Sequence, residues 1–150
     1  MKNNSQLNSR DEHFMNIALK EAAKANHKVF PNPKVGALIV VDDKIISKGY
    51  HKCYGEDHAE ANAINKLDRP ITNATLYVTL EPCSHIGKKN PCTDIIKNKM
   101  FSRVVIGAND PNPKASGGAE ILKKNKIAVK ENVCAEKSKK LNRRFFTYFE

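Results

Sequence analysis

"ATLYVTLEPCSHIGKKNPC", residues 74 to 92, opens as a nearly continuous β-type run and closes between two cysteines. A short run dominated by Leu, Val, Thr and Tyr suits a strand buried on both faces, as found in a sheet covered by helices. Upstream, "HAEANAINKL" (58–67) places Ala59, Ala63, Ile64 and Leu67 at helical spacing. Before it, "ALIVVDDKIISKGYH" (37–51) reads as strand, tight Asp42-Asp43 turn and strand. "DEHFMNIALKEAAKAN" (11–26) is a first helix with Phe14, Ile17, Ala18, Ala22 and Ala25 on its apolar face, and residues 1–10 are expected as a flexible tail.

Downstream, "CTDIIKNKM" is a third helix with Pro91 in its first turn, and "RVVIGA" (103–108) is a strand. A turn-rich "DPNPKASGG" (110–118) leads to a helix at "AEILKKN", a strand at "IAVKE" and a last helix at "CAEKSKKLNRRFFTYF" (134–149). Strand and helix alternate once the hairpin is passed. The expected fold is therefore α/β, a three-layer α/β/α sandwich around a five-stranded mixed sheet, in one domain over residues 11–150. In such sheets ligands sit at the carboxyl ends of strands, where "EPC" and "DPNP" lie and where "HAE" opens a helix.

Composition narrows the class. At 150 residues with 40% apolar content the chain can bury one core but hardly two. No apolar run reaches the roughly 18 residues of a membrane span, and the polar start lacks a signal-peptide core, so a soluble cytoplasmic protein is expected. The formal charge of +10 would favour nucleic acid or a phosphorylated small molecule. The lysines are scattered, however, with short clusters only at "KKNK" and "KSKKLNRR", which fits a compositional bias better than a nucleic-acid surface. Four cysteines without a secretion signal point to metal binding or free thiols rather than disulfides.

His58, Cys83 and Cys92 offer the nitrogen and two sulfurs of a catalytic zinc site with an open fourth position. Zinc lowers the pKa of a bound water to about 7, leaving a carboxylate to move protons. Glu60 is the candidate. Residues two apart on a regular helix do not share a face, so His58 and Glu60 cooperate only if His58 stands at the helix opening. Asp57 is expected to cap that helix, and Asp57-x-x-Glu60 also reads as a plain capping box. His85 could complete a closed, structural zinc site instead. Cys53 and Cys134 read as small, partly buried apolar residues.

An H-x-E followed by P-C-x-x-C is the zinc deaminase pattern. Here "HAE" is followed by "PC" and then a second cysteine after eight intervening residues. With "PNPKVGALIV", "YGEDHAEANAI", "RVVIGANDPNP" and "LNRRFF" in order, the chain resembles the diaminohydroxyphosphoribosylaminopyrimidine deaminases, the deaminase domain of the bifunctional riboflavin-biosynthesis protein. That family is cytidine deaminase-like in fold and has the long inter-cysteine loop. The resemblance implies Zn2+ on His58, Cys83 and Cys92, proton shuttling by Glu60, and substrate contacts from Asn32, His51, Lys88, Asp110 and Asn112. It implies hydrolysis of a cyclic amidine C–N bond in a phosphoribosylaminopyrimidine. Asn90 and Ala61 depart from the family's usual residues without removing a chemical group.

The resemblance ends near "LNRRFFTYFE", where the bifunctional protein enters its reductase, so a separate reductase chain is expected to take the product. Two rivals remain. A tRNA adenosine deaminase would suit the charge but carries the short P-C-x-x-C form, and a structural-zinc binding module would have no use for Glu60. The basic, aromatic last helix can cover its own sheet or bury its Phe residues in a homo-oligomer.

Overall fold

The computed structural model describes residues 4–84, 92–97 and 101–149. Helix α1 (Asn4–Ala22) and a 3-10 turn (His27–Val29) lead into β1 (Gly36–Val41) and β2 (Lys44–Tyr50). Asp42 and Asp43 join these strands with φ of 50° and 64°, both left-handed, as a two-residue hairpin with the natural strand twist demands. There follow α2 (Ala59–Asn65), β3 (Ala74–Leu80), α3 (Cys92–Lys97), β4 (Phe101–Ala108), α4 (Gly118–Lys124), β5 (Ala128–Lys130), α5 (Ala135–Leu141) and α6 (Arg143–Phe149).

The sheet order is β2-β1-β3-β4-β5, with β1 antiparallel to both neighbours and β3, β4 and β5 parallel. This is the mixed five-stranded sheet expected. Alternation along the strands sorts the core into two faces. Ile39, Leu76, Val78, Val104 and Ile106 pack under Ala63, Ile96 and Leu122 of α2, α3 and α4. Leu38, Val40, Tyr77 and Val105 pack under Phe14, Met15 and Ala18 of α1, with Val133 before α5.

Glycine allows α2 to approach the sheet closely. A Cβ on Gly49 would lie 2.6 Å from the Ala59 carbonyl oxygen, so the amino end of α2 rests directly on β2. The Ser47 hydroxyl donates to the Ala63 carbonyl at 2.7 Å along the same contact.

On the other face, α1 is locked by a fully buried carboxylate. Asp11 accepts from the Tyr77 hydroxyl at 2.7 Å, the Arg103 guanidinium at 2.9 Å and Lys130 Nζ at 3.2 Å. Burial pulls its pKa up, but the donors, Arg103 first, outweigh burial and hold it below the ordinary value.

Three expectations are corrected. Residues 4–10, expected as a tail, are helical, because the docked part of α1 supplies the nucleus from which a helix extends at little cost. Arg10 and Asn8 are tied down as well, to Asp43 and Lys130. The last helix is two helices, broken at Asn142, whose backbone leaves helical geometry at φ −116°, ψ 40°. Finally, the N-cap of α2 is His58 rather than Asp57. Phe146 of α6 is buried against Leu80 and Ala108, so this helix covers its own sheet. Among the described residues no helix is long and apolar enough to cross a membrane.

Candidate active site

Four connections meet at one end of the sheet. The carboxyl ends of β3 and β4 deliver "EPC" and "DPNP". The start of β1 and the end of β2, paired at Gly36 and Tyr50, deliver "PNP" and His51 to the same place. The amino end of α2 points there too.

His58 has extended backbone geometry, φ −68° and ψ 168°, while Glu60 lies in the first helical turn. That break in periodicity is what brings two residues of alternate position to one site. Asp57 is used elsewhere, accepting from the Asn65 side chain at 3.2 Å. His58 Nδ1 lies 3.3 Å from Cys92 Sγ and 3.7 Å from Cys83 Sγ. All three donor atoms fall within 4.8 Å of one another. Zinc bonds of about 2.3 Å to sulfur and 2.0 Å to nitrogen in a tetrahedron separate neighbouring donors by roughly 3.5 Å, so the set fits that metal. The Cys92 N–H donates to Cys83 Sγ at 3.2 Å, which seats the first turn of α3 against the cysteine after β3.

The two thiols divide a proton unequally. A hydrogen bond from Cys92 chiefly lowers Cys83 to about 4, with burial opposing and His58 assisting. Cys92 is pushed up, by that same bond first and then by burial. One thiolate thus stands ready as a metal ligand. Glu60 is almost fully buried, and burial raises its pKa against the pull of His58. A carboxyl beside a metal site can both take and give a proton.

Asn32, His51, Asp110 and Asn112 line the same cavity of about 340 Å³ as His58, Glu60, Cys83 and Cys92. Asn32 Nδ2 meets His51 Nε2 at 3.1 Å, and His51 Nδ1 meets the Asp57 carbonyl at 3.0 Å, linking the PNP segment to the residue before His58. Asp110 and Asn112 also build turns, their Oδ1 atoms accepting from the N–H groups of Asn112 and Lys114 at 2.9 and 3.0 Å. Turn chemistry and cavity lining coexist in these two residues. Lys88 and His85 lie outside the described residues.

Residues 8–108 match the cytidine and deoxycytidylate deaminase zinc-binding region. The chain belongs to this deaminase family. It is 45% identical over 139 residues to the riboflavin biosynthesis protein RibD of Aquifex aeolicus, which covers 92% of this chain but 39% of that protein. It is 43% identical to the diaminohydroxyphosphoribosylamino-pyrimidine deaminase of Buchnera aphidicola subsp. Schizaphis graminum, over 91% of this chain and 94% of that one. The crystal structure of a Thermotoga maritima diaminohydroxyphosphoribosylaminopyrimidine deaminase/5-amino-6-(5-phosphoribosylamino)uracil reductase superposes with a TM-score of 0.91 at 44% identity, covering 95% of this chain and 42% of that one. The chain thus spans about two fifths of the longer relatives. Zinc is its cofactor, and the His58, Cys83 and Cys92 cluster is able to hold it.

Glu81, Phe145 and Asn142, at or beside the candidate site, were not singled out by sequence reasoning. Glu81 and Phe145 line the cavity, and Asn142 holds the segment beside Asn32. The motifs "EPC" and "LNRRFF" contained them, but nothing local assigned them work.

Proposed function

We propose that this chain hydrolyses 2,5-diamino-6-(5-phosphoribosylamino)pyrimidin-4(3H)-one to the 5-amino-uracil nucleotide and ammonia, a step of riboflavin biosynthesis. The observation that carries the reading is a buried Glu60 beside the His58, Cys83 and Cys92 cluster, in a cavity also lined by Asn32, His51, Asp110 and Asn112. The names of the relatives that match along nearly the whole chain support the same substrate class.

In this reading His58, Cys83 and Cys92 hold the zinc, which when bound supplies a Lewis acid that makes water acidic near neutral pH. Glu60 takes a proton from the attacking water and passes it to the ring nitrogen. A C–O bond forms at the ring carbon bearing the exocyclic amine; Glu60 then takes the second proton, from the new hydroxyl, and gives it to the leaving nitrogen as the carbonyl forms and the C–N bond breaks. Ammonia departs with a proton count that balances. Asn32, Asp110 and Asn112 read the amide and amino edges of the pyrimidine, and His51 orients Asn32. Lys88 supplies a point charge for the ribosyl phosphate. A reductase activity of the kind named for the Thermotoga relative consumes the product. Four free cysteines suit a reducing compartment, and we place the reaction in the cytoplasm.

The deciding experiment pairs metal analysis with ammonia release from the phosphoribosylaminopyrimidine, cytidine, deoxycytidylate and a tRNA anticodon stem. One zinc per chain and turnover of the first compound alone is the expected result. Turnover of the tRNA stem instead would overturn the reading.

A further inference from the structure

We infer that Glu81 is a positioning residue, whose carboxylate fastens the 110–119 loop, and with it Asp110 and Asn112, to the turn that carries Cys83. The inference rests on the substrate reading above for what that loop contacts.

Glu81 directly follows β3, and its N–H donates to the Ala108 carbonyl at 2.9 Å, continuing the contact between the ends of β3 and β4. Its side chain turns inward and is only 7% exposed. Oε1 accepts the Asp110 N–H and Oε2 accepts the Ala119 N–H, each at 3.0 Å. Each oxygen of the carboxylate therefore receives one backbone donor, one from the start of the loop and one from the first turn of α4 that closes it. Burying a carboxylate is costly, and donors of this kind offset the cost.

Other contacts run along the same seam. The Ser84 hydroxyl donates to the Ser116 carbonyl at 2.8 Å. A Cβ on Gly118 would sit 1.9 Å from the Pro82 carbonyl oxygen, so the two backbones touch. Within the loop, Asn112 carbonyl oxygen also accepts from the N–H groups of Ala115 and Ser116 at 3.0 and 2.9 Å. The loop is thus braced internally by its own turns, and Glu81 sets where this braced unit sits relative to Cys83. A glutamine would keep the shape but turn one acceptor into a donor facing a backbone N–H, which cannot form that bond.

The test is Glu81→Gln in the zinc-loaded enzyme. KM for the pyrimidine nucleotide is expected to rise at least tenfold with kcat within threefold of wild type and one zinc per chain retained. In an Asp110→Ala, Asn112→Ala background the same substitution is expected to raise KM less than twofold, because its effect passes through those residues. An unchanged KM overturns the inference. So does loss of zinc, which would make Glu81 a support of the metal turn, and so does a full tenfold effect in the double background. Amide hydrogen exchange at Asp110 and Ala119 is expected to quicken in Glu81→Gln, and unchanged exchange also overturns the clamp. That readout needs no turnover. If wild type fails to release ammonia, the substrate reading falls while exchange still decides the role of Glu81.

Discussion

The side-chain amide of Asn142 grips the backbone of Lys34 at both ends, Oδ1 accepting the Lys34 N–H at 2.7 Å and Nδ2 donating to its carbonyl at 2.8 Å. The pairing joins residues 108 positions apart and ties the break between α5 and α6 to the segment that presents Asn32.

Asn142→Ala removes both bonds from a site that is 7% exposed. At about 1 kcal/mol for each bond, a loss of about 2 kcal/mol is expected in urea unfolding. KM is expected to rise as well, because Asn32 loses its anchor. Asn142→Asp, which keeps the acceptor alone, should fall between the two in both measurements.

Glu60→Gln is expected to lower kcat for ammonia release by about 10³-fold, within the range that acid–base groups supply. Zinc content measured on the same preparation should not change, since a proton carrier need not bind the metal.

Asp11→Asn is expected to cost about 3 kcal/mol at pH 7, as one partner of a buried ion pair is removed. The pKa of Asp11 is lowered in the folded protein from its ordinary 3.8. Its contribution is therefore fully present above that value and lost as pH falls through the lower, folded one. Urea titrations of wild type and variant should differ most near neutrality and converge in acid.

Gly49→Ala would set a methyl 2.6 Å from both the Ala59 carbonyl oxygen and the Ala63 nitrogen. Backbone cannot yield there cheaply, so a loss of about 1–3 kcal/mol is expected in thermal unfolding. Because Ala59 adjoins His58, zinc should also be released to a chelator faster than from wild type.

The residues of the candidate site were legible because they come in short motifs, whereas the features that were missed depend on distant partners. His58, Glu60 and Cys83 follow from "HAE" and "EPC", and the hairpin follows from Asp42-Asp43. The helix cap falls at His58, beside the close approach of Ala59 to Gly49, which no local pattern encodes. The break at Asn142 is set by residue 34, so periodicity alone reads one continuous helix through it. Glu81 stands in a recognised motif, but its two backbone partners lie 29 and 38 residues away.

β1 runs against both of its neighbours, and one outcome is a molecule with two unlike poles. The strand ends that feed the cavity gather at one pole, while the Asp42-Asp43 turn, closing the other end of the hairpin, falls at the opposite one. No cavity-lining residue comes from that turn. Changes there are felt by the hairpin and by Arg10, while "PNP", "EPC" and "DPNP" at the working pole answer to the geometry of the cavity.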